Sequence, residues 1–425
     1  MTMTLRTSLL VALLTLTACA GESSEPETSG PATAQLDGAA ERYVRLVLAA
    51  GRHDADLVDA YYGPAAWATE AKAGEPVPLP DLRRRLGALQ DEVRKAHPSD
   101  RRSFLDRQLT AIDARLRIQA GEALPLAEEA RLLYGIALPS SAAPALEKAR
   151  AELDALLPGP GSLSGRVEAF RSRFHVDPRK LNDLIRPTLV QIRGRTDALV
   201  PLPDREGIAV RQVDKKPWGA YCWYKGGLKS LLEINIEQPI EVGAVLNILA
   251  HESYPGHHTT NILQESEMVR GRGRFELTVQ PLFSPQALAM EGTADAGLDV
   301  LMTRDEQDAF LREVLAPVAG LSDRDFDLYR RVREASEALR GVQGEAARML
   351  LLEARPEDEV VRFLVDTGLQ TEERARRGVD FLRRYRAYVF TYTVGGDLVR
   401  AYIGDGPDRA QRFAALLRTP LLPEA

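Results

Sequence analysis

Three of the six histidines of the chain fall within one stretch of eight residues, HESYPGHH, at positions 251–258. Neutral imidazole and carboxylate groups are the usual zinc ligands in proteins, and Glu252 follows the first histidine of this stretch. The stretch opens like the zinc-protease signature H-E-x-x-H, but Pro255 occupies the position of the second histidine. The cluster therefore predicts a metal site with altered spacing.

The spacing of these histidines does not fit a regular helix. A residue four positions after His251 would share its helix face, whereas a residue seven positions later lies about 10 Å away. Pro255 removes a backbone donor and clashes with the preceding turn, while Gly256 tolerates whatever backbone angles follow. A two-residue bulge here would return His257 to the face of His251, and such bulges favour functional sites. His258 remains an alternative second ligand.

A third ligand is expected from the segment MEGTADAGLD, residues 290–299. Glu291 and Asp295 are four residues apart, so on a helix they share one face of an otherwise apolar segment. In zinc peptidases with a glutamate ligand, a carboxylate four residues later commonly orients the first histidine. We therefore expect Glu291 to bind the metal and Asp295 to hold His251. The alternative is a solvated helix face with two ordinary acids.

Three protein ligands leave the fourth position of a single zinc ion to water. Zinc lowers the pKa of that water, and Glu252 can accept its proton and pass it to a leaving amine. Such a site hydrolyses acyl bonds, amides above all. A donor for the oxyanion is expected from the run RYRAYVFTYTVGG, which supplies Tyr385, Tyr388 and Tyr392. The alternative role of these three rings is helix packing.

The elements that must position these residues are mostly helical. Residues 37–200 have the periodicity of consecutive helices, with one apolar face formed by Leu82, Leu86, Leu89 and Val93. Between 206 and 237, the runs IAVRQV, AYCWY and SLLEINI predict a small three-stranded antiparallel meander. IEVGAVLNILAHE predicts a buried helix that ends in the histidine cluster, and a last helix is expected over 395–417. The predicted fold class is mainly α (α+β), a single domain over 37–425 whose part 201–425 carries the metal motifs.

The amino terminus has the features of an export signal. Residues 1–19 contain Arg6 and then an apolar run too short to span a bilayer. The ending Leu-Thr-Ala-Cys resembles the bacterial lipobox, so Cys19 is the predicted lipidation site; an ordinary secretory signal is the alternative. Residues 20–36, rich in Ser, Glu, Pro, Gly and Thr, predict a flexible tether.

These features predict a lipoprotein of the cell envelope that meets the membrane only through its lipid. The outer membrane is favoured because Ala20, and not Asp, follows the cysteine. A net charge of -6, without a basic stripe interleaved with aromatic residues, argues against nucleic-acid binding.

HESYPGHH, followed by MEG and later by TYTVGG, resembles the bacterial family known as domain of unknown function 885. Members of that family carry H-E-x-x-P-G-H-H, then E-G-W-A, then Tyr-x-x-Gly near the end. Their mostly helical, zincin-like body is related to thimet oligopeptidase and carboxypeptidase Taq. This chain has Thr293 where the family usually has Trp, and it has Asn261 and Gln264 near the position of a frequent Gln. These departures concern the substrate pocket more than the metal.

The resemblance implies a zinc metallopeptidase that acts on short peptides, because helical relatives enclose a deep channel. A lipid-anchored lipoprotein that captures metal or peptide without turnover is the alternative from a different class. An esterase or amidase for other acyl substrates would share the same mechanism.

Overall fold

The computed structural model describes residues 31–216 and 218–419, with side chains from Leu36 onward. Within these ranges the α-helices are α1 (Pro31–Ala50), α2 (Ala65–Lys72), α3 (Leu79–Lys95), α4 (Asp100–Gln119), α5 (Leu126–Tyr134), α6 (Ala143–Leu156), α7 (Leu163–Arg171), α8 (Leu181–Leu199), α9 (Val242–Glu252), α10 (His257–Leu263), α11 (Pro285–Leu301), α12 (Arg304–Phe310), α13 (Ala316–Ala319), α14 (Phe326–Glu337), α15 (Val342–Ala347), α16 (Glu357–Asp366), α17 (Glu372–Tyr385), α18 (Thr391–Ile403) and α19 (Arg409–Arg418). The strands are β1 (Val58–Tyr61), β2 (Gly207–Val213), β3 (Ala220–Tyr224), β4 (Lys229–Asn235) and β5 (Val279–Pro281). The predicted class, mainly α with a small sheet, is confirmed.

The helical faces read from the sequence are the faces that the structure buries. In α3, all four residues of the predicted stripe are buried: Leu82, Leu86, Leu89 and Val93. The predicted buried helix before the histidine cluster is α9, but it is buried on one face and not all round: Val242, Val245, Leu246 and Leu249 are buried, while Asn247 is exposed and Ile248 is half-buried. Each fully buried Leu or Val contributes about 1.5–3 kcal/mol of transfer free energy, so these stripes hold the helices in place.

The three-stranded sheet differs from the predicted meander. Its strand order is β2-β4-β3, and β4 pairs antiparallel with β3 but parallel with β2. The prediction of an all-antiparallel sheet is therefore wrong. The connection after β2 crosses the end of the sheet instead of forming a hairpin. Asn235 at the end of β4 holds this crossing, because its amide donates to the carbonyls of Lys216 and Trp218, at 3.0 Å in each case.

The predicted last helix is also divided. α18 ends at Ile403, and Gly404 takes a φ of 59°, a left-handed conformation that favours glycine. A Gly-Asp-Gly-Pro turn follows before α19 begins at Arg409. One helix over 395–417 is therefore a wrong prediction, since the glycines and proline of this turn interrupt the apolar periodicity.

α11 connects two hydrophobic cores. Leu288 packs in a core built mainly on α1, α3, α4 and the helices α15 to α17. Leu298 and Leu301 pack in a second core with α8, α9 and α14. A Ser284 N-cap, whose hydroxyl accepts from the Ala287 amide at 3.2 Å, fixes the start of α11. The acidic side chains of α11 therefore lie between the two cores, where both determine their position.

The amino-terminal predictions fall mostly outside the described residues. α1 begins at Pro31, so residues 31–36 of the predicted tether are helical. The predicted signal peptide, Cys19 and the remainder of the tether lie outside the described part of the chain. Over the residues that the structure describes, none of the helices combines the length and the apolar character that a membrane crossing needs.

Candidate metal centre

The helix that leads into the HESYPGHH stretch is interrupted within the stretch. α9 ends at Glu252 and α10 begins at His257, so four residues separate two distinct helices instead of forming a bulge in one helix. The amide of Gly256 donates to the Ala250 carbonyl at 3.0 Å, and that of Thr259 donates to the Ser253 carbonyl at 3.1 Å. The chain thus folds back on the end of α9, and the break brings the first residue of α10 beside His251.

This fold-back requires a glycine at position 256. A Cβ atom there would lie 1.7 Å from the carbonyl oxygen of His251 and 2.6 Å from that of Ala250, distances that no side chain can adopt. A second close approach fixes the loop from outside, because a Cβ at Gly297 of α11 would lie 2.6 Å from the Pro255 ring. The loop is therefore clamped between α9 and the helix that carries Glu291 and Asp295.

Three side chains converge at this break. The Nε2 atom of His251 lies 3.2 Å from Nε2 of His257 and 3.4 Å from Oε2 of Glu291, and the remaining edge, from His257 Nε2 to Glu291 Oε2, is 3.9 Å. One ligand atom from each residue lies within 4.8 Å of the others. The structure thus brings together the three residues that the sequence proposed as metal ligands.

Asp295 fixes the orientation of the first histidine. Its Oδ1 atom lies 3.0 Å from Nδ1 of His251. A carboxylate at this position favours the proton on Nδ1, so the lone pair of Nε2 faces His257 and Glu291. Burial lowers the pKa of His251, but the Asp295 and Glu291 carboxylates beside the ring outweigh it and hold the pKa well above its ordinary value, so a metal ion would have to displace the proton on Nε2.

His258, the alternative second ligand, does not face this group. The side chain is fully buried, with Nδ1 2.7 Å from the Ser230 hydroxyl and Nε2 2.9 Å from Oε2 of Glu206. Consecutive helical residues point about 100° apart, so only one of the two neighbouring histidines can turn towards His251. Both ring nitrogens of His258 are already engaged, and the alternative is corrected: of the two, the structure places His257 with the group.

The Glu206 carboxylate is the centre of a second, separate cluster. Besides His258, it accepts from the Tyr254 hydroxyl at 2.6 Å and from Nε of Arg193 at 2.7 Å. Burial raises the pKa of Glu206, but these hydrogen bonds outweigh it and lower the pKa to about 2. Sequence reasoning missed this residue, because it lies fifty-two positions from His258 and belongs to no motif.

Glu252 lines a cleft of about 400 Å³ together with His251 and Asp295. Its carboxyl group lies against the backbone N–H of Cys222 in β3. Burial raises the pKa of Glu252 to about 7, opposed by the positive potential of His251 and reinforced by the negative charge of Glu291. A carboxyl group whose pKa lies close to 7 is suited to exchange protons at physiological pH. Arg304, Gln307 and Arg340 line the far side of the cleft.

One of the three predicted tyrosines contacts the group directly, a second is linked to it through the first, and the third does not reach it. The Tyr388 hydroxyl donates to Oε1 of Glu291 at 3.4 Å, and the Tyr392 hydroxyl donates to that of Tyr388 at 3.3 Å. Tyr385 instead packs with the rings of Phe381 and Phe283. Its predicted alternative, helix packing, is therefore the role that these contacts give it.

Two glycines, Gly292 and Gly395, allow α18, which carries Tyr392, to approach α11. A Cβ atom at Gly292 would lie 2.2 Å from the Gly395 carbonyl oxygen, and one at Gly395 would lie 2.7 Å from that of Leu288. The backbones of α11 and α18 therefore touch, which places Tyr388 and Tyr392 beside Glu291. Larger side chains at either glycine would separate the two helices.

Asp59 and Tyr221 also belong to the surroundings of the site, and no motif or spacing predicted either residue. The Tyr221 hydroxyl donates to Asp59, which lies within electrostatic reach of Glu291 and Glu252. The two residues are 162 positions apart, so no local spacing links them.

Comparisons with known proteins leave the family of this chain open. No family model matches the chain, and none of the curated proteins matches it. The resemblance to domain of unknown function 885 therefore stays a prediction. Among solved structures, a provisionally assigned lipoprotein from Colwellia psychrerythraea is 14% identical, with a TM-score of 0.49 over 85% of this chain and 70% of that one. A provisionally assigned lipoprotein of unknown function from Shewanella oneidensis is 12% identical, with a TM-score of 0.46 over 81% and 71%.

Two carboxypeptidases also occur among the structural neighbours. A carboxypeptidase from Pyrococcus furiosus is 13% identical with a TM-score of 0.38, covering 92% of this chain and 90% of that one. An M32 carboxypeptidase from Deinococcus radiodurans is 14% identical with a TM-score of 0.36, covering 91% and 90%. These are distant likenesses, and they assign neither a family nor an activity to this chain.

Proposed function

We propose that the protein is a zinc-dependent hydrolase that cleaves amide bonds of short peptides. The observation that carries this proposal is the convergence of His251, His257 and Glu291, with the carboxyl group of Glu252 within electrostatic reach of His251 and Glu291. Two imidazoles and one carboxylate form the ligand set of many catalytic zinc sites, which keep a further position open for water or substrate.

The three side chains fit a zinc ion by geometry and by chemistry. Ligand atoms bound at about 2.0–2.2 Å in a tetrahedral arrangement lie about 3.3–3.6 Å from each other. The observed separations are 3.2, 3.4 and 3.9 Å. Oε2 of Glu291 is buried and accepts no hydrogen bond from the described residues, which suits an atom reserved for a cation. Burial lowers the pKa of His257 to about 4, so its imidazole is neutral and able to ligate at pH 7.

Glu252 is the proposed general base. A zinc ion bound here would supply Lewis acidity and would lower the pKa of a water molecule towards neutrality. Glu252 lines the same cleft as His251, and its pKa of about 7 lets it accept a proton from the attacking water and return it to the leaving amine. The Tyr388 and Tyr392 hydroxyls are the proposed donors to the developing oxyanion.

The test compares wild type with Glu252→Gln and with a matched control, Glu237→Gln, which changes an exposed glutamate outside the site. Purified protein is analysed for zinc and incubated with a library of short peptides. We expect one zinc ion per chain in all three proteins, and a loss of cleavage of about 10²–10⁴-fold in Glu252→Gln alone. Zinc binding without cleavage in wild type would instead favour a protein that captures metal or peptide without turnover.

Placement in the cell envelope is part of the proposal and rests on residues 1–19 alone. Export with a lipid on Cys19 would bring the site to the periplasmic side of a membrane. We expect intact protein to fractionate with membranes and Cys19→Ser to be released in soluble form. Equal fractionation of both proteins would contradict attachment at Cys19.

A further inference from the structure

Asp59 is presented to the site by an irregularity in a strand. β1 pairs antiparallel with β5, and Val58 lies opposite Pro281 while Ala60 lies opposite Gln280. Asp59 is therefore an additional residue with no partner on β5. Bulges of this type redirect a side chain and are frequent next to active sites. Asp59 keeps accessible surface, so a molecule from solution can reach its carboxylate.

Neighbouring residues of strand β3 contact both Asp59 and Glu252, the proposed base. Tyr221 of β3 donates its hydroxyl hydrogen bond to Asp59. The next residue, Cys222, presents its backbone N–H to Glu252. The electrostatic field of Asp59 acts on Glu252, and that of Glu291 acts on Asp59. The carboxylate of Asp59 therefore lies within electrostatic reach of Glu252 and Glu291, and it is held by a hydroxyl group.

Asp59 has no positive partner among the described residues. Its hydrogen bond comes from a neutral phenol, and the charge that acts on it most is that of another acid, Glu291. Other carboxylates of the chain differ: Glu206 pairs with Arg193, and Asp54 pairs with Arg115. A charge that is held without a counter-charge is suited to bind a cation from outside.

That cation is better supplied by the substrate than by a second metal ion. Within the described ranges, the group of His, Cys, Asp and Glu side chains whose ligand atoms converge consists of His251, His257 and Glu291, and it does not include Asp59. A single carboxylate with one hydrogen-bonded tyrosine is a poor metal site, because divalent cations need several ligands. One carboxylate is sufficient for an ammonium group.

We propose that Asp59 binds an ammonium group of the substrate, in the first place the free α-amino group of a short peptide, and so selects substrates for cleavage near their amino terminus. This inference rests on the proposed peptidase function. A lysine side chain offers the same chemistry, and the experiment separates the two sources.

The test measures binding without turnover in zinc-loaded Glu252→Gln by calorimetry. Three probes are compared: tetra-alanine, N-acetyl-tetra-alanine, and the acetylated peptide with one lysine. We expect acetylation to weaken binding about tenfold, as loss of one charge-assisted hydrogen bond implies. Adding Asp59→Asn should weaken the binding of only those peptides that have a free ammonium group. The ratio between the dissociation constants of acetylated and free tetra-alanine should then be close to one. Recovery of binding by the lysine peptide would identify a side-chain ammonium as a second source.

Two further variants keep the test decisive. Asp56→Asn removes a nearby carboxylate that pairs with Arg384 and not with Tyr221. This variant should keep the tenfold difference in binding between free and acetylated peptide. Tyr221→Phe keeps the Asp59 carboxylate but removes the hydroxyl that donates to it, so it should reduce the difference in binding to about threefold. This variant tests the inference even if Asp59→Asn fails to fold. An unchanged ratio in Asp59→Asn, or equal binding of free and acetylated peptide by the parent protein, would overturn the inference.

The two proposals fail in different ways. Zinc-dependent cleavage of free and acetylated peptides at equal kcat/KM by wild type would overturn the role of Asp59 and leave the hydrolase standing. A preference for the free ammonium group that depends on Asp59, without cleavage of any peptide by wild type, would overturn the hydrolase and leave the role of Asp59 in binding standing.

Discussion

His257 and His258 are neighbours in the chain, and both are largely or completely buried, yet they lie in two different environments. Nε2 of His257 faces another imidazole and a carboxylate oxygen that accepts no hydrogen bond from the described residues. Both nitrogens of His258 are occupied by Ser230 and Glu206. Burial does not separate a ligand from a structural histidine. The number of partners already satisfied does, because a saturated ring has no lone pair left for a metal.

The largest expected effect is loss of zinc from His257→Ala. Removing one of three protein ligands should weaken zinc binding by more than about 100-fold, beyond the effect of losing an outer partner. His258→Ala is the matched control and should keep zinc affinity within about tenfold of wild type. Competition with a chromophoric chelator measures both constants. Equal zinc loss in the two variants would contradict the distinction between the histidines.

His258→Ala should instead reduce stability. Burial lowers the pKa of His258, so its neutral ring is a hydrogen-bond partner of the buried Glu206 carboxylate, and leaving a buried charged acceptor without one of its three side-chain partners costs about 1–3 kcal/mol or more. The free energy of unfolding from urea titration of metal-free protein should fall by about 1–3 kcal/mol. His257→Ala should change it less in the same metal-free titration. A larger loss of stability in His257→Ala would reverse the comparison.

Asp295→Asn tests the orientation of His251. The amide cannot supply the same charged partner for Nδ1, so zinc affinity should fall about 10–100-fold while the stoichiometry remains one. Asp299→Asn is the control, since Asp299 lies one helical turn further along α11 and interacts with Arg304 and Gln307. Zinc affinity that is the same in both variants would exclude Asp295 as an orienting group.

The last prediction concerns Glu206, whose titration should make the stability of the protein depend on pH in the acid range. Its pKa is about 2 in the folded protein and 4.5 ordinarily. A lowered folded pKa contributes stability that is fully present above about pH 4.5 and is lost as the pH falls towards 2. The difference in unfolding free energy between wild type and Glu206→Gln should therefore shrink over that interval. A difference that stays constant would show that Glu206 is not the titrating group.

Local patterns predicted the helices and the three converging side chains. The stripe of α3, the burial of α9, and the i, i+4 spacing of Glu291 and Asp295 all lie within one element, where sequence spacing fixes direction. The proline and glycine at positions 255 and 256 indicated that the helix is interrupted, although the interruption is a complete break.

Contacts between distant segments were not predictable. The choice between His257 and His258 depends on Glu206, and the position of Asp59 depends on Tyr221 and on a bulge against β5. The parallel pairing of β2 with β4 likewise depends on a crossing connection whose length and composition also fit a hairpin. None of these contacts leaves a periodic pattern in the sequence, because each joins residues on different elements.

The most direct test of the central claim is anomalous diffraction at the zinc edge from crystals soaked in zinc. The convergence of His251, His257 and Glu291 predicts one strong peak about 2.0–2.2 Å from Nε2 of each histidine and from Oε2 of the glutamate. A peak bound to His258 instead, or no peak beside these three residues at saturating zinc, would contradict the account.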